Sequence, residues 1–280
     1  MKTLYISLIL ILLPIAQSFG FYSIPFVQRA RISAFAGSSE INIEKSNPNG
    51  QVDFMHYMQY NSDFYLGINA YFIITPKLHT DIKTYVNSAL ETDHFQLKLL
   101  YYPTERFAIS ANYASFPFTM EAPTAYYSPT YYAYVPNESE YLAVNNERYL
   151  LGVAVPFESG KITGTLHLRG GLSQLSANNI TMWQKKYNSN ERRMLDFAIK
   201  PSSAFIVNPE LDARWEWFRF GEKSKFGLQF QASWSYASHS MRYTQNTFTW
   251  TMENSNAYTS TPASHTLMGI DWNIGLFYGF

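Results

Sequence analysis

The side chains of this chain limit what chemistry it can do. It contains no cysteine, which excludes a disulfide scaffold, a thiolate metal site and a cysteine nucleophile. Six histidines are available as bases: His56, His79, His94, His167, His239 and His265. A serine hydrolase needs its nucleophile and base on one face, and along a single strand that means a spacing of two. No histidine here has a serine two positions away. His239 comes nearest, between Ser238 and Ser240. Both are immediate neighbours, so in a strand they point away from its ring, and only a serine from another strand would meet it. His239 is therefore the candidate base for a hydrolase of lipase, deacylase or protease type, with no orienting third residue evident. Asp93 beside His94 and Asp53 near His56 are the acid–base pairs to consider, and adjacent strand residues face opposite ways. The histidines and carboxylates show no metal-ligand spacing, and no phosphate loop or dinucleotide fingerprint occurs. No metal and no cofactor is expected. Lys+Arg and Asp+Glu balance at 21 each, so no nucleic-acid partner is expected either.

The remaining polar side chains are carried on segments that alternate with period two, the signature of half-buried strands. Phe226, Leu228, Phe230, Ala232, Trp234 and Tyr236 share one face against Gly227, Gln229, Gln231, Ser233 and Ser235. Leu211, Ala213, Trp215 and Trp217 alternate with Glu210, Asp212, Arg214 and Glu216. Phe95, Leu97, Leu99 and Tyr101 alternate with Gln96, Lys98 and Leu100. Leu151, Val153 and Val155 precede the turn Pro156 to Gly160, and Ile162, Gly164, Leu166 and Leu168 then alternate with Thr163, Thr165, His167 and Arg169. The apolar faces carry no charge. A charge facing lipid at mid-membrane costs about 2–4 kcal/mol, so a lipid-facing stripe must exclude it. A soluble sandwich also has an apolar face, turned inward.

Three features favour the membrane reading. Short turns at 75–78, 103–105, 157–160 and 221–224 alternate with longer segments at 117–146, 172–203 and 239–263, as in barrels with short periplasmic turns and long external loops. Tyr101, Phe107, Trp215, Trp217, Phe226, Trp234 and Tyr236 gather at stripe ends, where interfacial girdles lie. The chain also ends as a strand. A slightly negative mean hydropathy excludes a polytopic helical membrane protein.

The N-terminus begins with Lys2, continues through an almost wholly apolar run from Leu4 to Ile15 and reaches the small residues Ala16 and Ser18. That run is about a dozen residues, short of the roughly 20 a helical span needs, and reads as a signal peptide over 1–18 with a mature domain over 19–280. At the other end, Met268, Ile270, Trp272, Ile274, Leu276, Tyr278 and Phe280 form one unbroken apolar face. This strand resembles the closing strand of bacterial outer-membrane β-barrels. The resemblance implies a terminal sorting signal read by the barrel-insertion machinery, a place in the cell outer membrane and contact with its lipid.

The fold expected is all-β: a transmembrane antiparallel up-and-down barrel of about ten strands, with twelve or eight as alternatives. The strands fall near 29–43, 54–74, 79–90, 93–102, 106–116, 147–156, 161–171, 203–219, 225–240 and 264–280. Its inward charges would be Arg29, Arg31, Asp81, Lys83, Lys98, Arg106, Lys161, Glu210 and six lumen candidates for ligand binding: His167, Arg169, Asp212, Arg214, Glu216 and Asp271. Outside, Tyr126, Tyr127, Tyr131, Tyr132 and Tyr134 form an aromatic loop suited to contact with a ligand or another envelope protein. Lys185, Lys186, Arg192 and Arg193 are placed to meet anionic headgroups or solvent. The function expected is a non-catalytic barrel acting as a small channel, a ligand or adhesion platform, or an accessory subunit of an envelope complex. A hydrolase with a site at the extracellular rim and a soluble periplasmic β-protein are the alternatives.

Overall fold

A computed structural model describes residues 29–46, 59–60, 63–87, 92–121, 131–133, 141–220, 224–249, 252–259 and 263–280. The expected signal peptide over 1–18 lies outside them. The alternating segments form sixteen strands: β1 (Arg29–Ser46), β2 (Gln59–Tyr60), β3 (Asp63–Thr75), β4 (Leu78–Asn87), β5 (Thr92–Thr104), β6 (Phe107–Ser115), β7 (Phe118–Glu121), β8 (Tyr131–Ala133), β9 (Tyr141–Ser159), β10 (Ile162–Ala177), β11 (Ile180–Lys186), β12 (Arg192–Lys200), β13 (Ser202–Phe220), β14 (Ser224–Thr249), β15 (Met252–Thr259) and β16 (Ala263–Gly279).

Ten of them close into a ring in chain order: β1, β3, β4, β5, β6, β9, β10, β13, β14 and β16. Every neighbouring pair is antiparallel, and β1 closes on β16 with Ile32 opposite Tyr278 and Ala36 opposite Ile274. Closure removes the sheet edges that would otherwise leave backbone groups unpaired in lipid. Twelve- and eight-strand rings are set aside. At the end that holds both strand termini the connections are tight. One of them carries Gly160 at φ 59°, a left-handed position that glycine occupies without strain.

The faces settle which solvent lies where. Trp215 is 51% exposed, Phe230 40% and Ile274 46%, whereas Lys98 is 2% exposed. The large apolar side chains therefore coat the outside, and the ionic ones fill the inside. A soluble sandwich would have the reverse arrangement. On β14 the outward apolar row runs from Phe226 to Tyr236, close to the 9–11 residues that cross a bilayer.

The strand start expected near residue 54 lies outside the described residues, as do 51–58 and 61–62, and β3 is described from Asp63. The structure corrects the sequence reading in two places. Arg106 and Lys161 were expected inside but are exposed, because they sit at the tight turns where the chain leaves the wall; the side chain of Arg29 lies outside the described ones. The segments 172–203 and 239–263 were expected to be external loops. Instead β10 continues as β11 and β13 is preceded by β12 in one unbroken register, with Leu175 opposite Ser202 and Ile180 opposite Phe197. Beside them β14 runs for 26 residues and pairs with β12, β13, β15 and β16. The wall of the barrel thus extends outward as a ribbon. Between Lys200 opposite Arg242 and Ile206 opposite Ala237 the pairing along β14 slips by one residue.

Candidate functional site

Alternation delivers one inward side chain every second residue, and ten strands leave little lumen beyond what those side chains fill. At mid-height the filling is ionic. Glu210 on β13 accepts from Lys98 on β5 and from Arg169 on β10, both as ion pairs. It also accepts from Gln231 at 2.8 Å. Arg169 donates further to Asn208 at 2.8 Å, and Lys98 lies 3.9 Å from Asp81, which accepts from the Asn69 amide. Lys83 donates to Gln231 at 3.0 Å, and Asn273 donates to the same oxygen at 3.1 Å. One carboxylate thus gathers cations from two other strands. Charges withdrawn from water persist only when paired and hydrogen-bonded in this way. The result is a cross-braced plug.

On the side of the plug that bears the tight turns, a cavity of about 350 Å³ is lined by His167, Asp212, Arg214, Asp81, Tyr71 and Tyr102, with Glu105 and Glu158 also on its lining. Arg214 reaches Asp212 at 3.5 Å. The Arg31 guanidinium lies 4.5 Å over the Tyr71 ring, and the Tyr71 hydroxyl is 2.5 Å from His79 Nδ1. On this lining, among the described residues, His167 Nδ1, Asp212 Oδ1 and Arg214 Nε have no hydrogen-bond partner, the last two meeting only as that ion pair. The cavity therefore presents unspent polar atoms of both charge types, which suits a small zwitterionic or hydrated guest.

On the other side of the plug the filling turns aromatic. Tyr65 donates to Asp271, and the Tyr85 hydroxyl lies 3.5 Å from the other oxygen of the same carboxylate. His94 stacks on Tyr85 at 4.5 Å, and the Lys83 ammonium sits 4.8 Å over Phe35 and 5.0 Å over Tyr85. Further along β14, His239 Nε2 meets Ser173 Oγ at 3.1 Å. Ser173 also shares a 2.9 Å hydrogen bond with the Asn146 side-chain amide.

The six lumen candidates therefore divide. His167, Asp212 and Arg214 come together in one cavity. Arg169 belongs to the plug. Glu216 lines a neighbouring cavity of about 230 Å³ at the rim and pairs with Arg219 at 2.8 Å and Lys225 at 2.9 Å. Asp271 is held by the two tyrosines. The Ser173–His239 contact escaped the sequence because Ser173 is on β10, and β13 stands between it and β14. The contact crosses the interior, and no local spacing signals it. Of the aromatic loop, Tyr131 and Tyr132 lie in β8, opposite Lys186 and Lys185 of β11. Tyr126, Tyr127 and Tyr134 lie outside the described residues.

No protein-family model matches the sequence, and no curated protein matches it. Solved structures do. The outer membrane protease OmpT of Escherichia coli aligns with a TM-score of 0.57 at 8% identity, over 90% of this chain and 97% of that one. This chain has the fold of an outer-membrane β-barrel. The barrel also aligns, more loosely, with the outer membrane protein OprG of Pseudomonas aeruginosa (TM-score 0.36, 9% identity, 90% of this chain and 95% of that one). The toluene transporter TodX of Pseudomonas putida follows (TM-score 0.28, 8% identity, 89% of each chain). At these identities what is shared is the fold. In that fold the exposed apolar band of this barrel is the face suited to lipid.

Proposed function

We propose that the barrel is a non-conducting platform whose working surfaces are its extracellular β-ribbon and its periplasmic vestibule. In this reading the ribbon engages another envelope protein or a ligand, and the vestibule holds His167, Asp212 and Arg214 ready for a small polar guest. The observation that carries it is the plug: Lys98, Arg169 and Glu210 are each no more than 3% exposed and are bonded to one another across the lumen. A hydrated ion has no path through side chains packed this way. Purified barrel in a planar bilayer is expected to give no conductance steps. Steps of reproducible size in the wild-type protein would overturn the platform reading in favour of a small channel.

A hydrolase is the second reading, and the 3.1 Å contact between Ser173 and His239 is what favours it. Against it, Ser173 is 1% and His239 0% exposed, so a substrate carbonyl has no approach to the hydroxyl. Short-chain ester hydrolysis by the purified barrel is expected to stay at background, with Ser173→Ala indistinguishable from wild type. An ester turnover abolished by Ser173→Ala would replace the platform with an enzyme.

A further inference from the structure

Two exposed cations face each other where the ribbon leaves the lipid band. Lys200 ends β12 and stands directly opposite Arg242 on β14. Residues paired in this way share a face of the sheet. Here it is the outward face, and both side chains are exposed. Like charges directly opposite one another destabilise a strand pair. Among the described residues neither cation has an ion-pair or hydrogen-bond partner to offset that repulsion. The other basic residues of the ribbon differ: Lys186 pairs with Glu191 at 3.0 Å, and Arg193 donates to Gln184 at 2.8 Å.

Their height on the wall is equally informative. The outward row of β14 changes character after Tyr236, from Phe230, Trp234 and Tyr236 to Ser238, Ser240 and Arg242. On β13 the last apolar outward residue is Phe205, 70% exposed. Arg242 lies some four residues beyond that level, about 10 Å of height at the usual rise and tilt of barrel strands. The polar layer of a bilayer leaflet is about 5–8 Å thick, and long basic side chains bend back toward it. The pair thus stands at the level of lipid phosphates.

We infer that Lys200 and Arg242 together bind the phosphate of an outer-leaflet lipid headgroup. A phosphate between them turns the repulsion into two charge-assisted contacts, the guanidinium as a fork and the ammonium as a point charge. The site lies on the outer wall and is independent of the plug and the vestibule.

Native mass spectrometry of the full-length barrel in detergent tests it, with lipid A, enzymatically dephosphorylated lipid A and inorganic phosphate as probes. Lipid A is expected to remain bound, and the dephosphorylated form to bind about tenfold more weakly or worse. The double variant Lys200→Gln/Arg242→Gln should lose the same roughly tenfold while still migrating as a folded barrel, and Lys200→Arg/Arg242→Lys should retain most of the binding. Equal retention of the two lipid forms by the wild-type protein would overturn the inference, even if the double variant failed to fold. Lipid A binding unchanged in a folded double variant would overturn it as well. Binding of inorganic phosphate with no preference between the lipids would reassign the pair to a free anion, and so overturn the lipid site.

Discussion

The apolar-banded part of β14 and its ribbon part lie on the same strand with the same face parity, yet their polarity is inverted. Within the barrel, inward Gln231, Ser235 and His239 are buried and outward Phe230, Trp234 and Tyr236 are exposed. Beyond it, inward Met241 and Tyr243 are buried with Leu195, Phe197 and Ile199 of β12, while outward Lys200 and Arg242 are exposed. The backbone direction does not change between the two, although the partners pass from β13 and β16 to β12 and β15; the solvent does change. Hydrocarbon outside demands an apolar outer face and lets charges pair within. Water outside demands the ordinary arrangement, with an apolar core and a charged surface. The inversion between Tyr236 and Met241 is therefore a membrane boundary written into one strand.

Substitutions sharpen this contrast or break it. The largest effect is expected at the plug. Glu210→Ala leaves Lys98 and Arg169 buried without their carboxylate, at a cost of about 3–5 kcal/mol in urea unfolding of the barrel in vesicles. A loss under about 1 kcal/mol would mean that the lumen is wet enough to solvate both cations, contrary to a sealed interior. Next comes the lipid face. Ile274→Arg, near mid-membrane, should destabilise by about 2–4 kcal/mol in the same assay, whereas an added arginine in place of exposed Ser240, above the boundary, should change stability by no more than about 0.5 kcal/mol. Equal costs at the two positions would remove the boundary. The smallest effect on the barrel is expected from Leu195→Ala. It opens a cavity in the ribbon core worth about 2–5 kcal/mol locally, read as faster protease cleavage of the ribbon. Global unfolding of the barrel should shift by no more than about 0.5 kcal/mol, because the two cores are remote. A matching drop in barrel stability would show that ribbon and barrel form a single cooperative unit.

Much of this could be read along the chain. Each lipid-facing stripe, from Phe95 to Tyr101 and from Phe226 to Tyr236, is local, because strand alternation needs only the residues themselves. The ten-strand ring and its closing strand followed from counting such stripes. The ribbon was missed for a related reason. Once the outer solvent becomes water, segments such as 192–200 lose the apolar outward stripe that marked the others, and their polar faces read as loop. The candidate site was legible only as a set of inward charges. That His167, Asp212 and Arg214 share a cavity, that Arg169 is consumed in the plug and that Asp271 is held by Tyr65 and Tyr85 depend on strands far apart in sequence.

By itself, then, the sequence determined which side of the barrel strands faces lipid, since that choice depends on the cost of a single residue in its own surroundings. The tertiary structure alone decided the partners. Lys98 finds Glu210, 112 residues away, and Ser173 finds His239 across an intervening strand, because ring closure and strand register set which inward side chains arrive at the same height. Register is a property of pairs of strands, and no single stretch of sequence carries it.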